Sequence, residues 1–190
     1  MDIRIKDLAK SFDEKLVLDK LNIEIKGNEF NCIMGGSGIG KTTLINILMG
    51  LVDMDNGEIS GIEGKRISVV FQEDRLCEDF DAISNIRLVC DKKVSNDEII
   101  QVLQDFELGD SLHKKVLHFS GGMKRRLAIA RAIIAVSDIV IMDEPFKGLD
   151  KELYKKTILY VRKKLEGKTV IIITHREEES TILGGNIILL

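Results

Sequence analysis

The sequence predicts an α/β fold in which a mainly parallel central sheet carries an inserted block of helices. Three observations support this prediction. Short apolar strands alternate with helices on both sides of the chain's middle, residues 73–137 are helical in pattern, and the first thirty residues alternate as antiparallel strands do. With 190 residues, 44% of them hydrophobic, the chain has the size and composition of one globular domain.

The first thirty residues predict three antiparallel strands. Their apolar residues are, in order, Ile3 and Ile5, then Val17 and Leu18, then Leu21, Ile23 and Ile25. Residues 30–34 form a short apolar run that ends in glycines, as a buried strand entering a tight loop does. Within residues 42–51 the apolar side chains recur at helical spacing, and Gly50 lies near the expected end of this helix. Residues 66–71 predict a further strand.

The rest of the chain continues the alternation after a helical block. Ser95 to Glu98 is a capping box that opens a helix through Phe106, which Gly109 closes. A helix over 120–135 follows, and we expect its Lys124-Arg125-Arg126 to form a solvated face with one basic side near phosphate. The remaining elements are a strand (138–142), a helix (151–165), a strand (169–174), a short helix and a strand (186–190). We therefore expect one domain over 1–190, with an α/β core from 1–72 and 138–190 and a helical subdomain from 73–137.

Composition excludes several functional classes. The net charge of −3 argues against a nucleic-acid partner, which favours strongly basic surfaces. No apolar run approaches the ~20 residues that span a bilayer, and residues 1–6 lack the apolar core of a signal peptide. Cys32, Cys77 and Cys90 show no metal-ligand spacing, so we expect reduced cytosolic thiols in or near the core.

A complete phosphate loop lies between the predicted strand 30–34 and the predicted helix 42–51. The stretch is Gly35, Gly36, Ser37, Gly38, Ile39, Gly40, Lys41 and Thr42, which fits G-x-x-x-x-G-K-[ST]. Its glycines let backbone N–H groups converge on an anion, and the helix N-terminus adds its dipole. Lys41 is placed for the β- and γ-phosphates, Thr42 for Mg²⁺, and Thr43 for a further phosphate hydrogen bond. The alternative is a glycine-rich turn that binds nothing.

Two carboxylates end the apolar strand before residue 145. Asp143 and Glu144 lie at the carboxyl edge of a predicted parallel strand, where α/β sheets bind ligands. Asp143 is our candidate for holding Mg²⁺, and Glu144 for taking the proton from the attacking water. Pro145, the only proline, biases Glu144 towards an extended backbone. The alternative is an acidic loop after a strand.

Ser120, Gly121 and Gly122 begin the predicted helix 120–135 and form a second anion-binding device. One chain does not need two such devices for one triphosphate, whereas a second, symmetry-related chain does. Without the other motifs, a glycine turn with a serine N-cap explains this tripeptide as well as an anion-binding site does.

Together these motifs resemble the nucleotide-binding subunit of an ATP-binding-cassette (ABC) transporter over essentially the whole chain. Residues 119–123 resemble the family's signature sequence. The resemblance implies an ABC ATPase fold, ATP and Mg²⁺ as cofactors, and a head-to-tail homodimer in the ATP-bound state. In that dimer Ser120, Gly121 and Gly122 act in trans on the second subunit's ATP.

The resemblance also assigns residues that would be ordinary polar or core residues on their own. Gln72 matches the glutamine that contacts Mg²⁺ or water, and His175 matches the switch histidine that bonds the γ-phosphate and orients Glu144. Residues 148–150 match the loop that touches the opposite subunit. Phe12 falls where an aromatic stacks on adenine; the alternative is core packing.

The resemblance further implies where the chain works and with what. It predicts a cytoplasmic protein, peripheral on the inner face of the cell membrane, that drives a separate transmembrane permease with an external solute-binding protein. Met123, Arg176 and Lys147-Gly148 depart from the commonest family residues. Residues 70–76, 120–126 and 143–146 resemble importers of the nitrate, sulfonate and taurine type. The alternatives are an ABC exporter subunit, a soluble ABC-type ATPase unlinked to transport, and a non-hydrolysing module.

Overall fold

The computed structural model describes residues 1–13 and 15–190, and its centre is a five-stranded parallel sheet. In spatial order its strands are β5 (Ile67–Val70), β6 (Ile139–Asp143), β7 (Thr169–Ile173), β3 (Phe30–Met34) and β8 (Asn186–Leu189). Every residue of β3, β6 and β7 is buried. Strands buried on both faces need near-continuous apolar sequence, which is why these strands can be predicted from the sequence.

A second, antiparallel sheet has the order β2 (Lys15–Ile25), β1 (Ile3–Phe12) and β4 (Asn56–Ser60). The prediction of three strands within the first thirty residues is wrong. Residues 15–25 form one strand, and its pairing with β1 carries register shifts near Asp7 and Lys20, both of which have positive φ. These bulges interrupt the two-residue alternation, so one strand reads as two.

Six α-helices complete the described part of the chain. They are α1 (Lys41–Leu48), α2 (Ala82–Arg87), α3 (Asn96–Asp105), α4 (Gly121–Ile134), α5 (Lys151–Lys164) and α6 (Glu177–Leu183). Between β5 and β6 the described elements are α2, α3, α4 and two short 3-10 helices. The capping box of Ser95 and Glu98 is confirmed, but α3 ends at Asp105 and the left-handed residue after it is Glu107 rather than Gly109.

The two faces of the parallel sheet pack against different partners. Alternate strand residues such as Val140 and Met142 join the core formed with α2 to α5. Their neighbours Ile139 and Ile141 join the core formed with α1, β1 and β2. The carboxyl ends of the parallel strands, where α1 begins, therefore lie between two layers whose positions are fixed by packing.

Two basic residues of α4 correct the expectation of a solvated face. Arg125 and Arg126 are each only 7% exposed. Arg126 donates from Nη1 to the carbonyl of Phe106 at 2.7 Å, and Arg125 donates to two carbonyls after β5. A buried guanidinium is tolerated when carbonyls satisfy its donors, and sequence spacing alone does not reveal those acceptors.

Among the described residues no helix is both long and apolar enough to cross a membrane. All three cysteines are free. Cys32 is buried and Cys90 half-buried, whereas Cys77 is exposed, against the expectation that all three lie in or near the core.

Candidate functional site

The phosphate-loop residues join the end of β3 to the start of α1. Gly38 and Gly40 have φ values of 78° and 108°, which favour glycine. A Cβ at Gly36 or Gly38 would meet no atom within 4 Å, so the backbone there is open to a ligand. The arrangement leaves the N-terminus of α1 facing the loop, as an anion site requires.

Gly40 is required for a second reason, which is close packing. A Cβ at this position would lie 2.5 Å from Cδ2 of Leu18 and 3.1 Å from the carbonyl oxygen of Val17. Both residues belong to β2, so the antiparallel sheet presses directly on the last glycine of the loop. The position of the loop thus depends on a strand far from it in sequence.

Lys41 supplies the positive charge of the loop. Its side chain is held inward, where Nζ donates to the carbonyls of Gly35 at 2.8 Å and Gly36 at 2.7 Å. The residue is only 7% exposed. The buried ammonium makes its hydrogen bonds to neutral carbonyls and lies near the carboxylates of Asp143 and Glu144, so its charge is available to an anionic ligand in the same cleft.

Asp143 and Thr42 face each other across 3.5 Å, with the Thr42 hydroxyl directed at Oδ2. Burial, together with repulsion from Glu144, raises the pKa of the Asp143 carboxyl above its usual range. A cation beside this oxygen would relieve that penalty. The described residues hold no cluster of three or more His, Cys, Asp or Glu that could bind a metal. The Thr42 hydroxyl, the Asp143 carboxylate and the Gln72 amide oxygen line one cleft. These ligands suit Mg²⁺, which takes its remaining ligands from phosphate and water.

Glu144 has a backbone that the sequence did not predict. Its φ is 46°, so the expectation of an extended residue before Pro145 is wrong. Its N–H donates to the carbonyl of Ile173 at 3.0 Å, and its own carbonyl accepts from Lys147 N at 3.2 Å. These bonds hold a non-glycine residue in a sparsely populated region, a feature that clusters at functional sites.

The carboxylate of Glu144 is contacted on both oxygens. Oε1 lies 3.0 Å from Nε2 of His175, and Oε2 accepts from Nζ of Lys147 at 2.7 Å. The hydrogen bond from Lys147, aided by its charge, lowers the pKa of Glu144 below its usual range. The group is therefore anionic near neutral pH, as a base must be before it accepts a proton.

One cleft of about 220 Å³ brings most of the predicted site residues together. Its lining is Val17, Ser37, Gly38, Gly40, Lys41, Thr42, Thr43, Gln72, Asp143, Glu144 and His175. Gln72 comes from the turn after β5, Asp143 and Glu144 from the end of β6, and His175 from the turn after β7. The neighbouring carboxyl ends of parallel strands thus converge on the phosphate loop.

A second cavity of about 220 Å³ lies on the other side of Glu144, lined also by Lys147, Thr174, Arg176 and Glu179. The guanidinium carbon of Arg176 stands 5.4 Å from the centre of the Tyr154 ring, and the backbone N–H of Arg176 donates to the Thr174 hydroxyl at 3.0 Å. Glu179 is buried, which raises the pKa of its carboxyl. Arg176 is exposed, packs beside an aromatic ring, and its charge acts on the buried acid.

Three groups of predicted site residues lie outside the cleft that contains Lys41. Ser120 caps α4, its hydroxyl accepting from Met123 N at 3.2 Å. A Cβ at Gly121 or Gly122 would meet no atom beyond its chain neighbours and its own helix backbone within 4 Å. Phe12 ends β1, is 45% exposed, and has its ring centre 5.3 Å from Lys10 Nζ, so it is not a core residue. In residues 148–150, Asp150 caps α5 through the N–H groups of Glu152 and Leu153.

The sequence that forms this site also matches a known family model. Residues 18–147, which include the phosphate loop, Gln72, the α4 N-terminus and Asp143, match the model described as ABC transporter. The chain belongs to the ABC transporter family. The family-level resemblance read from the motifs is thereby confirmed.

The curated relatives of this ABC chain include two import proteins. It is 32% identical to the spermidine/putrescine import ATP-binding protein PotA of Clostridioides difficile (strain 630) over 211 residues, covering 99% of this chain and 59% of the relative. It is 33% identical to PotA of Clostridium novyi (strain NT) over 205 residues, again covering 99% and 59%. The chain therefore spans about three-fifths of the length of these relatives.

Solved structures establish the fold. The dimeric structure of MJ0796, a bacterial ABC transporter cassette, superposes with a TM-score of 0.84 at 28% identity, covering 99% of this chain and 94% of that one. A post-hydrolysis state of MJ0796 bound to ADP and Pi gives a TM-score of 0.85. A bacterial Atm1-family ABC exporter matches with a TM-score of 0.86 at 21% identity, which speaks for the fold alone. The predicted ABC ATPase fold, with a parallel and an antiparallel sheet, is confirmed.

Sequence reasoning missed two residues of the site. Val17 lines the cleft from β2, and no pattern around it indicates a ligand contact. Lys147 contacts Glu144 directly but was noted only as a departure from the family pattern. The signal was present in principle, because a lysine three residues after a carboxylate is within ion-pair reach in a turn.

Proposed function

We propose that this chain binds Mg-ATP and hydrolyses it as the ATPase subunit of an ABC importer, with two copies closing head to tail around two nucleotides. One observation carries the proposal. A buried lysine, a hydroxyl–carboxylate pair and an anionic glutamate held by a histidine line the same cleft. Phosphate binding, metal binding and proton abstraction are thus available within one small volume.

The phosphate loop supports nucleotide binding. Lys41 and the N-terminus of α1 would hold the phosphates, and Ser37 and Thr43 would donate further hydrogen bonds. Phe12, exposed near the cleft-lining strand β2, would offer its ring to adenine. Mg²⁺, held by Thr42, Asp143 and Gln72, would neutralise charge on the phosphates.

Hydrolysis needs a positioned base, and Glu144 is the proposed one. Glu144 would take the proton of a water that attacks the γ-phosphate, while His175 keeps the carboxylate oriented and contacts that phosphate. Lys41 would stabilise charge on the transferred group. The remaining stabilisation would come from the second subunit.

A dimer is supported by the separation of the two anion devices. Ser120, Gly121 and Gly122 stand open at the start of α4, outside the cleft that holds Lys41. In a head-to-tail dimer they would reach the second copy's γ-phosphate, and residues 148–150 would touch the second copy. We assign α4 to the helical subdomain over 73–137, which would move as ATP closes the dimer.

The curated relatives are import proteins, which supports import as the direction of transport. At the cytoplasmic face of the membrane, the chain would drive a separate permease. The motif residues resemble nitrate, sulfonate and taurine importers, whereas the relatives named above import polyamines. Both groups of proteins carry their solutes into the cell, so we propose import. The permease and an external binding protein would select the solute.

The first test measures phosphate release from Mg-ATP by the purified chain, alone and with the permease that co-purifies from its own cells. We expect turnover that EDTA abolishes. We also expect the Glu144→Gln variant to form dimers when ATP is added. Failure to bind ATP, or to release phosphate in either form, would overturn the proposal. Import is then tested by reconstituting the complex in vesicles and comparing uptake of a polyamine and a sulfonate; outward transport would contradict it.

A further inference from the structure

Arg125 of α4 binds the segment that follows β5. Its guanidinium donates from Nη1 to the carbonyl of Phe71 at 2.7 Å and from Nη2 to the carbonyl of Gln72 at 2.8 Å. Nη1 also lies 3.2 Å from Oδ1 of Asp74, as an ion pair. The side chain is only 8% exposed, so these contacts are shielded from water.

Two other side chains of α4 hold the same segment farther along. Arg131 donates from Nη2 to the carbonyl of Asp74 at 3.2 Å, and Lys124 pairs with Glu78. Only Arg125 reaches the residue that lines the cleft, Gln72. The guanidinium bonds two successive carbonyls, which fixes the direction of the backbone from which the Gln72 side chain projects.

The other end of this connection is the open N-terminus of α4. Ser120 is the N-cap of α4, a single 14-residue helix, and lies about one and a half turns before Arg125. A helix of this length moves as a rigid element, so displacement of its N-terminus carries Arg125 with it. Because Arg125 is bonded to the Gln72 backbone, the same displacement acts on the cleft of its own subunit.

We propose that Arg125 is the positioning residue that links the signature end of α4 to Gln72. Contact of Ser120 with a second copy's nucleotide would then be transmitted to the first copy's own active cleft. The inference rests on the proposed function, because it requires two nucleotides shared by two copies. It assigns to Arg125 an effect on turnover that acts through Gln72 and leaves nucleotide binding at the phosphate loop unaltered.

The test compares Arg125→Gln with Arg125→Lys and the control Lys124→Gln. We expect Arg125→Gln to lower kcat at least tenfold and to reduce the cooperativity of ATP turnover, while the affinity for nucleotide stays within twofold of wild type. Arg125→Lys retains one cationic donor and should recover part of the rate. Lys124→Gln removes an anchor beyond Gln72 and should leave turnover unchanged.

A double-mutant cycle separates transmission through Gln72 from general loss of structure. If Arg125 acts through Gln72, Arg125→Gln should lower kcat by less than twofold in a Gln72→Ala background. Multiplying effects would overturn the inference, as would an Arg125→Gln protein with wild-type kcat, or an equal loss in Lys124→Gln. If Arg125→Gln does not fold, the same cycle is run with Arg125→Lys. A wild-type chain that neither binds nor turns over ATP overturns the proposed function itself, which is a different result.

Discussion

Nε2 of His175 lies 3.0 Å from Oε1 of Glu144, although the residues are thirty-one positions apart in the chain. The contact follows from the sheet: β6 and β7 pair in parallel with Asp143 beside Ile173, so the residues just after each strand meet. The histidine and the carboxylate are therefore held by backbone pairing, and substitutions at either side chain should leave the fold intact.

Replacing Glu144 with Gln should leave ATP affinity within a few-fold of wild type and lower turnover by ~10²–10⁴-fold. The amide has nearly the shape of the carboxylate but cannot accept the proton. Phosphate release and nucleotide titration measure the two effects. Glu166→Gln, an exposed carboxylate in the turn before β7, is the matched control. Turnover at the wild-type rate in Glu144→Gln would remove this residue from the base role.

Replacing Lys41 with Ala should weaken ATP binding by about 100-fold or more, which corresponds to about 2.8 kcal/mol. The change removes the buried ammonium beside the loop but leaves the backbone N–H groups and the helix N-terminus. The ammonium also bonds the carbonyls of Gly35 and Gly36 and lies near Asp143 and Glu144, so urea unfolding of the variant is measured alongside to separate lost affinity from lost stability. Calorimetric titration measures the affinity, with Lys65→Ala as the exposed control. Unchanged affinity would place the phosphates elsewhere.

Two serines offer a matched pair for the second anion device. Ser95 and Ser120 both cap helices, accepting from Glu98 N and Met123 N respectively. Replacing either with Ala should lower the free energy of unfolding by about 1 kcal/mol. Only Ser120→Ala should also reduce ATP-dependent dimerisation and turnover, measured by light scattering and phosphate release. Equal turnover in the two variants would confine Ser120 to its capping role.

The buried acid Glu179 predicts a pH dependence of stability. Burial raises its pKa in the folded chain, so folding favours the protonated form, and this contribution is present at acid pH and is lost as pH rises through the raised pKa. Glu179→Gln should therefore be more stable than wild type near pH ~7, with a difference that shrinks towards pH ~4. Urea unfolding across this range measures it, and exposed Glu178→Gln should show no such trend. A constant difference for Glu179→Gln would contradict the prediction.

Most of the parallel sheet could be predicted from sequence because its strands are buried on both faces. Residues 30–34 were predicted with the bounds that the structure has, and the strands before Glu144 and His175 within one residue at each end. The site residues after those strands could then be placed by topology alone. The motif spacing that indicates a phosphate loop is local, so it too survives without knowledge of tertiary contacts.

The elements that could not be predicted depend on partners distant in sequence. Strand β4 is short and largely polar, and it exists because β1 offers it an edge. The buried state of Arg125 depends on carbonyls that lie more than fifty residues earlier. The left-handed backbone of Glu144 depends on a bond to Ile173, which overrides the local preference set by Pro145.

The contact between Gly40 and β2 limits how this site can evolve. A larger residue at position 40 would collide with Leu18, and trimming Leu18 would still leave the Val17 carbonyl at 3.1 Å and a φ of 108°. No single compensating substitution removes all three obstacles, because one is a side chain, one is backbone and one is conformational. In a randomised library selected for nucleotide binding, position 40 should return glycine whatever residue accompanies it at position 18.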